Sequence, residues 1–253
     1  MIVQYESYTQ KIQKAFSGAA DSYDKFSYIQ DVVLRELCSA VQLKDCDKKN
    51  ILDVGCGTGN ISKFLDITNH NFIQVDLSKE MCVVAKEKNN VLSVNCNMDM
   101  MPFCENLFDI VIASMVLQWS CNINLSLLEL LRVIKPNGML YIAIPIFGTL
   151  IELNNVIEKI GKSFSKFYQM DELISVINSL DVKIQCVFCC NYRQYHKSFL
   201  SLLLSMKSTG AYAKKVYDKQ YNIFSVSSIY KKLYSLQNCV FSSWNIMYLI
   251  VKK

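Results

Sequence analysis

The sequence predicts an α/β protein built on a Rossmann-like, seven-stranded sheet, with helices before the sheet and a helical insertion before its last strand. The first observation is a buried-strand pattern at residues 51–54 that runs into the alternating glycines of Gly55-Cys56-Gly57-Thr58-Gly59. The second is a strand-like run at residues 71–77 that carries an acid, Asp76, near its end. The third is the alternation of strand-like and helix-like stretches, which is typical of a parallel sheet with crossover connections.

The elements can be placed in order along the chain. Strands are predicted at residues 51–54, 71–77, 91–96, 108–114, 139–144, 182–188 and 244–251. Helical spacing is found at 29–41, after the N-cap residue Ser78, and at 127–133, 151–160 and 173–180, and a Pro-Gly turn is predicted at 135–138. We divide the chain into an N-terminal helical cap (1–45), an α/β core (46–190), a basic helical insertion that covers the substrate (191–238) and the last strand (239–253).

Composition limits the class of protein. The chain has 253 residues, of which 51% are hydrophobic, yet no apolar run approaches the length of a membrane span, and the start lacks the pattern of a secretory signal. The 11 cysteines do not form paired zinc-ligand motifs, and the only histidines are His70 and His196. We therefore expect a cytoplasmic protein with free thiols and without a metal site.

Charge is distributed unevenly. From Tyr192 to the C-terminus there are ten lysines or arginines and one acid, Asp218, so this segment carries +9 while the rest of the chain carries −4. A basic segment of this kind favours an acidic partner, whether protein, nucleic acid or membrane surface. The fourth strand is followed by Ser114-Met115-Val116-Leu117 rather than by an amino-methylating N/D-P-P-Y/F/W motif, so we expect no nucleic-acid partner.

The glycine loop has the spacing G-x-G-x-G, and Asn60 stands where a dinucleotide fingerprint would place its last glycine. A carboxylate such as Asp76, at the tip of the second strand, can accept hydrogen bonds from both hydroxyls of a ribose. Together the loop and the acid resemble class I S-adenosylmethionine (SAM)-dependent methyltransferases. The resemblance implies SAM as the cofactor.

Longer segments resemble the biotin-synthesis malonyl-acyl-carrier-protein O-methyltransferases. Residues 16–24 are similar to F-S-x-A-A-x-x-Y-D, and residues 202–211 are similar to L-L-R-S-L-K-x-I-G-A, with Leu204 in place of the arginine. Agreement is also found at 102–103, 117–119 and 147–153. The resemblance implies methyl transfer to the free carboxylate of a malonyl thioester, which primes pimelate and biotin synthesis. The implied partner is malonyl-acyl carrier protein, an acidic protein that docks on the basic C-terminal segment, or else malonyl-CoA. We expect the enzyme to be a monomer.

The resemblance also implies roles for individual residues. Those implied to bind SAM are Tyr23, Asp53, Gly55, Cys56, Gly57, Gly59, Asp76, Leu77, Met81, Asn97, Met98 and Ser114. Within this set, Asp53 lies beneath the amino group, Asp76 binds the ribose, and Leu77 and Met81 flank the adenine. Tyr23 closes over the donor and Gln118 borders the reacting centre. Lys207 is the first candidate for the malonyl carboxylate and Arg193 the second.

Two alternatives remain open from the sequence. One is a methyltransferase that acts on another small acid or on a quinone precursor. The other is an assembly factor that uses the methyltransferase fold to hold a subunit of respiratory complex I, since residues 229–234 resemble such relatives. If the chain is an enzyme that acts on the carrier protein, methyl transfer to malonyl thioesters is expected. If it is an assembly factor, a stable protein complex without methyl transfer is expected.

Overall fold

A computed structural model describes residues 2–43, 47–160, 167–211 and 223–253. The strands are β1 (Asn50–Val54), β2 (Asn71–Asp76), β3 (Leu92–Asn95), β4 (Phe108–Ser114), β5 (Ile134–Pro145), β6 (Lys183–His196), β7 (Ser235–Leu236) and β8 (Cys239–Lys252). The helices are α1 (Ile2–Ser17), α2 (Tyr23–Phe26), α3 (Tyr28–Ser39), α4 (Lys79–Asn89), α5 (Ile123–Val133), α6 (Ile151–Lys159), α7 (Met170–Asn178), α8 (Phe199–Ser208) and α9 (Ile223–Tyr234).

These strands form one twisted sheet in the order β3-β2-β1-β4-β5-β8-β6. Strands β1 to β5 are parallel, and β8 runs antiparallel between β5 and β6. The short β7 pairs only with β8, outside this path. The Rossmann-like, seven-stranded arrangement predicted from the sequence is therefore confirmed, because the seven predicted strands are the seven members of the path.

Helices cover both faces of the sheet, which places one hydrophobic cluster on each side. On one face, α3, α6, α8 and α9 pack against residues such as Ile51 and Ile112. On the other face, α5 and α7 pack against Leu52, Val54 and Val111. Successive residues of β1 enter opposite clusters because side chains alternate along a strand.

The third hydrophobic cluster joins the N-terminal region to the glycine side of the sheet. Ala19 and Ala20, just after α1, pack against Met81 of α4. Helix α4 begins as predicted, since the hydroxyl of Ser78 accepts a hydrogen bond from the Met81 N–H at 3.2 Å. This packing brings the end of α1 and all of α2 to the carboxyl ends of the strands.

Strand β5 begins earlier than the sequence predicts. Ile134 pairs with Phe108 and Met139 pairs with Ile110, so the register shifts between these two pairs. The residues 135–138, predicted as a turn, are accommodated as an irregularity inside the strand, with Asn137 at a φ of 67°. A bulge of this kind inserts extra residues while pairing continues on both sides.

Strand β6 also continues further than predicted, through residues 191–196, which the sequence-based division placed in the insertion. Its partner β8 begins at Cys239, and the two strands pair from Lys183 opposite Lys252 to His196 opposite Val240. The basic and aromatic composition of this stretch predicted an insertion, but cross-strand contacts stabilise it as sheet. One such contact is the hydrogen bond between the hydroxyls of Tyr192 and Tyr248, at 2.7 Å.

The described part of the segment between β6 and β8 is mainly helical. It contains α8 and α9, whose Phe199 and Tyr230 rings pack at a centroid distance of 4.9 Å, and the short strand β7. Within the described ranges, no helix combines the length and the apolar character needed to cross a membrane.

Candidate active site

The loop after β1 is held to the tip of β2 by a carboxylate. Asp76 accepts hydrogen bonds from the N–H of Gly57 at 2.9 Å and from the N–H of Ser78 at 2.8 Å. Gly55 has a φ of 69°, and a Cβ added there would lie 2.4 Å from a methyl group of Val116. Glycine is therefore required at this position both by the left-handed backbone and by the close approach of the loop after β4.

A cavity with about 760 Å³ of empty space, its opening to solvent included, lies at the carboxyl ends of β1, β2 and β4. Ligands of open α/β sheets bind at this edge, outside the strand ends. Phe16 at the end of α1 and Tyr23 of α2 close the cavity from the N-terminal side. The remaining lining is Thr9, Ile12, Val54, Gly55, Gly57, Val75, Asp76, Leu77, Cys96, Asn97, Met98, Asp99, Ser114, Met115, Val116, Trp119 and Cys121.

The lining of this first cavity suits a cationic nucleoside. It carries the carboxylates of Asp76 and Asp99 together with aromatic rings, and no lysine or arginine is among the described residues that form it. Burial raises the pKa of Asp76 to about 6 despite its backbone hydrogen bonds, and burial with the charge of Asp76 raises the pKa of Asp53 to about 7. A bound cation would stabilise the ionised form of both.

Tyr23 stays a neutral phenol under ordinary conditions. Burial and the neighbouring carboxylates Asp76, Asp31 and Asp24 raise the pKa of Tyr23 well above its usual value. Asp24, next to it in the chain, is held by Lys88 at 2.7 Å and by the hydroxyl of Thr58 at 2.5 Å. The short helix α2 is thus anchored to the glycine loop and to α4, which positions the Tyr23 ring above the cavity.

A second cavity, with about 590 Å³ of empty space including its opening to solvent, adjoins the first. The two share four lining residues: Phe16, Tyr23, Met115 and Trp119. Its other walls come from Gln30, Gln118, Pro145, Leu150, Phe167, Met206, Thr209, Ala211 and Trp244. The Phe16 and Trp119 rings meet edge to face, with centroids 5.4 Å apart. These shared residues form the boundary across which a donor and an acceptor could meet.

A third, smaller cavity lies beneath the glycine loop, where Tyr23, Gln30, Asp53, Gly55 and Cys56 are among its lining residues. Gln30 lines both this cavity and the second one. Its Oε1 atom is buried without a hydrogen-bond partner among the described residues. A buried acceptor of this kind is expected to receive a hydrogen bond from a ligand or from water.

Met115 lines all three cavities and has a strained backbone. Its φ is 55°, which is rare for a residue with a side chain, and its N–H is fixed to the carbonyl of Ala143 at 2.8 Å. Gln118 donates from Nε2 to the Met115 carbonyl at 2.6 Å. Strain that is held in place by surrounding contacts is a frequent feature of functional sites.

Most of the residues predicted from the sequence lie at these cavities. Tyr23, Gly55, Gly57, Asp76, Leu77, Asn97, Met98 and Ser114 line the first cavity, Asp53 and Cys56 line the third, and Gln118 lines the second. Gly59 and Met81 line none of the three. Met81 is completely buried against the end of α1.

The two basic residues predicted for the substrate carboxylate lie apart from the cavities. Arg193 is on β6, where its guanidinium stacks over the Phe241 ring at 4.4 Å from the centroid. Lys207 is an exposed residue of α8, although Met206 and Thr209, on either side of it in the chain, line the second cavity. The structure brings neither side chain to the wall shared by the cavities.

Sequence reasoning missed several residues that form the shared wall. Phe16 and Trp119 belong to the segments that carried the family resemblance, but no role was assigned to them. Met115 could have been suggested by its position directly after the predicted fourth strand. Trp244 of β8 and Gln30 of α3 gave no sequence signal, because their position at the cavity depends on how distant elements pack.

Comparisons with known proteins agree with this geometry. Residues 52–142 match a family described as "Methyltransferase domain". A SAM-dependent methyltransferase from Thermotoga maritima shares the fold with a TM-score of 0.57, at 12% sequence identity, over 95% of this chain and 99% of that chain. The fold and the cavity at the glycine loop therefore define a class I SAM-dependent methyltransferase, with SAM as its cofactor.

The relatives narrow the class to one family. A malonyl-[acyl-carrier protein] O-methyltransferase from Buchnera aphidicola is 35% identical over 182 residues, which are 72% of this chain and 69% of the relative. A protein of the same name from Hamiltonella defensa is 26% identical over 203 residues, 79% of this chain and 77% of the relative. The chain belongs to the malonyl-[acyl-carrier protein] O-methyltransferase family, as the resemblance in the sequence predicted.

Proposed function

We propose that this enzyme transfers a methyl group from SAM to the free carboxylate of a malonyl thioester carried by acyl carrier protein. The observation that carries the proposal is the pair of adjoining cavities, one shaped for a charged nucleoside and the other mainly apolar, which meet at Phe16, Tyr23, Met115 and Trp119. The names of the relatives supply the acceptor. The product, a malonyl methyl ester, would serve as a primer for pimelate and biotin synthesis.

The chain's own residues act mainly by positioning and by excluding water. When bound, SAM would supply an electrophilic methyl group to a carboxylate oxygen of the acceptor. Asp76 would hold the ribose, and Asp53 and Gln30 face the space where a methionine ammonium would bind. Tyr23 and Trp119 close the junction, so that donor and acceptor are held in line, which accounts for much of the rate enhancement in such displacements.

The described part of the second cavity is mainly apolar, and the polar groups in its wall are uncharged. Gln30, Gln118 and Thr209 contribute them, and the remaining lining is largely aromatic or aliphatic. Because the acceptor loses its charge on reaction, a cavity that binds it with few permanent charges favours the transition state over the ground state. Lys207 and Arg193 stay sequence-based proposals for the carboxylate. If either binds it, replacement by alanine would raise KM for every malonyl thioester.

The free cysteines favour a reducing, cytoplasmic compartment for this reaction, and we expect the enzyme to act as a monomer. Of the two alternatives, neither the other small-acid acceptor nor the assembly factor is favoured by the relatives, whose names describe malonyl-carrier methylation.

The test is intact-protein mass spectrometry of malonyl-acyl carrier protein after incubation with the enzyme and SAM. Acetyl-acyl carrier protein, whose acyl group has no free carboxylate, is the matched control. We expect a gain of one methylene on the malonyl form alone. An unchanged mass on both forms, with SAM binding retained in calorimetry, would contradict the malonyl assignment.

A further inference from the structure

Helix α8 presents an amphipathic surface to solvent. Leu200 and Leu204 are 62% and 51% exposed, and Lys207 is exposed beside them. The spacing i, i+4, i+7 places these three side chains on one face of the helix. The opposite face is buried in the hydrophobic cluster through Phe199, Leu202, Leu203 and Met206. We call the face formed by Leu200, Leu204 and Lys207 the outer face of α8.

This outer face lies directly behind the second cavity. Met206 on the buried side of α8, and Thr209 and Ala211 just after it, line that cavity. A helix with its side chains is about 10 Å across. A protein that contacts the outer face would therefore sit roughly one helix diameter from the acceptor cavity.

The surroundings of the outer face are basic. From Asn191 to the C-terminus the described residues include no acid, and Lys197 precedes α8 while Lys207 ends it. The Ser22 hydroxyl, just before α2, donates a hydrogen bond to the Ser208 carbonyl at 3.1 Å, so α2 lies near the end of α8. Lys25 is exposed there, and so is the acid Asp21, which leaves the three lysines Lys25, Lys197 and Lys207 in excess. The neighbouring Asp24 of α2 is engaged by Lys88 at 2.7 Å. The charge around the exposed leucines thus favours an acidic partner.

We propose that the outer face of α8 is the docking site for the acidic carrier protein that presents the thioester. Leu200 and Leu204 would form the apolar centre of the contact, and Lys197 and Lys207 would pair with carboxylates at its rim. Protein interfaces commonly combine an apolar centre with a polar rim in this way. The inference rests on the proposed function, because that function supplies an acidic carrier as the partner.

The first experiment measures docking without catalysis. Binding of carrier protein is followed by NMR titration in the absence of SAM, for the wild type and for Leu204→Glu and Lys197→Glu. Leu128→Glu is the matched control, since Leu128 is 50% exposed on α5, at the opposite face of the sheet. We expect at least a tenfold weaker Kd for the two α8-side variants and an unchanged Kd for Leu128→Glu.

The second experiment measures transfer with two substrates. For Leu204→Glu, kcat/KM with malonyl-acyl carrier protein should fall at least tenfold, while kcat/KM with malonyl-CoA should stay within about twofold of the wild type. Raising the salt concentration should lower kcat/KM for the carrier protein much more than for the coenzyme A thioester, because screening weakens steering between charged proteins.

The outcomes separate the two proposals. If the wild type adds no methyl group to either malonyl thioester, the proposed function fails, and the NMR titration still decides docking. Equal carrier binding by the wild type and Leu204→Glu, or no binding by either, would overturn the docking site. It would also be overturned if Leu204→Glu turned a wild-type dimer into a monomer without affecting carrier binding, because the outer face would then join two copies of this chain.

Discussion

The replacement Asp76→Asn tests how the enzyme holds its cofactor. Each oxygen of the Asp76 carboxylate accepts one backbone N–H, from Gly57 at 2.9 Å and Ser78 at 2.8 Å, and keeps a further lone pair that can face the cavity. Asparagine keeps one acceptor oxygen, but its amide N–H₂ group would replace the other oxygen, which accepts hydrogen bonds in the wild type. The variant therefore loses the charge and at least one hydrogen bond to the ribose.

The expected loss can be estimated from these contacts. A hydrogen bond to a charged group contributes about 1.5–3 kcal/mol, so we expect SAM binding to weaken by about 2–3 kcal/mol, which corresponds to a roughly 30- to 150-fold higher Kd. Stability of the SAM-free protein should change little. The lost backbone hydrogen bond is destabilising, but removal of a buried charge is stabilising, and the two effects oppose each other.

Isothermal titration calorimetry would measure the Kd and thermal unfolding the stability. Asp109→Asn is the control, because Asp109 also accepts a backbone N–H, from Asn50 at 2.8 Å, and pairs with Lys135, but lies at the amino end of β4. This control should lower stability and leave the Kd unchanged. A folded Asp76→Asn protein whose Kd lies within about threefold of the wild type would refute the assignment of Asp76 to the ribose.

Three further predictions concern the same site. SAM affinity should fall as the pH drops through about 7 and then about 6, because Asp53 and Asp76 take up protons there. Since folding raises both pKa values, the SAM-free protein should gain stability over the same pH interval. A Kd for SAM that is flat from pH 8 to 5.5 would contradict the affinity prediction. Gly55→Ala should lower the unfolding midpoint and abolish SAM binding, because φ is 69° and the added Cβ would lie 2.4 Å from a methyl group of Val116. Gly18→Ala is the control and should be tolerated, since a Cβ added there would have its nearest neighbour at 3.4 Å. Tyr23→Phe should lower kcat/KM roughly tenfold without changing the unfolding midpoint, because the phenol is a protonated donor at the junction of the cavities; equal activity would show that only the ring matters.

Local sequence was enough to predict many of the residues that line the first cavity, because most of these come from single strand ends. The glycine loop follows β1 directly and Asp76 ends β2, and parallel strands bring their carboxyl ends to the same edge of the sheet. The N-cap at Ser78 and the bounds of β4 were predictable for the same reason, since both depend on residues that are neighbours in the chain. Such local signals can be read from the sequence without knowing how distant elements pack.

The acceptor side could not be predicted to the same depth. Its cavity is assembled from α1, α3, α8 and β8, and the contribution of Gln30 or Trp244 depends on packing between residues far apart in the chain. The length of β6 was missed because its composition resembles that of an exposed insertion, while its structure is set by pairing with β8. Lys207 stood beside the right residues in sequence, but a helix directs neighbouring side chains to different sides.

By itself the sequence determined the α/β class, the position of the glycine loop after the first strand, the cofactor and the family. These are encoded by local periodicity, by glycines that the backbone requires and by motifs contiguous in the chain. Only the tertiary structure decided which residues wall the second cavity and which face of α8 is left to solvent. The reason is physical: burial and exposure are properties of packing between elements, and a helix presents its two faces to different surroundings only once its neighbours are in place.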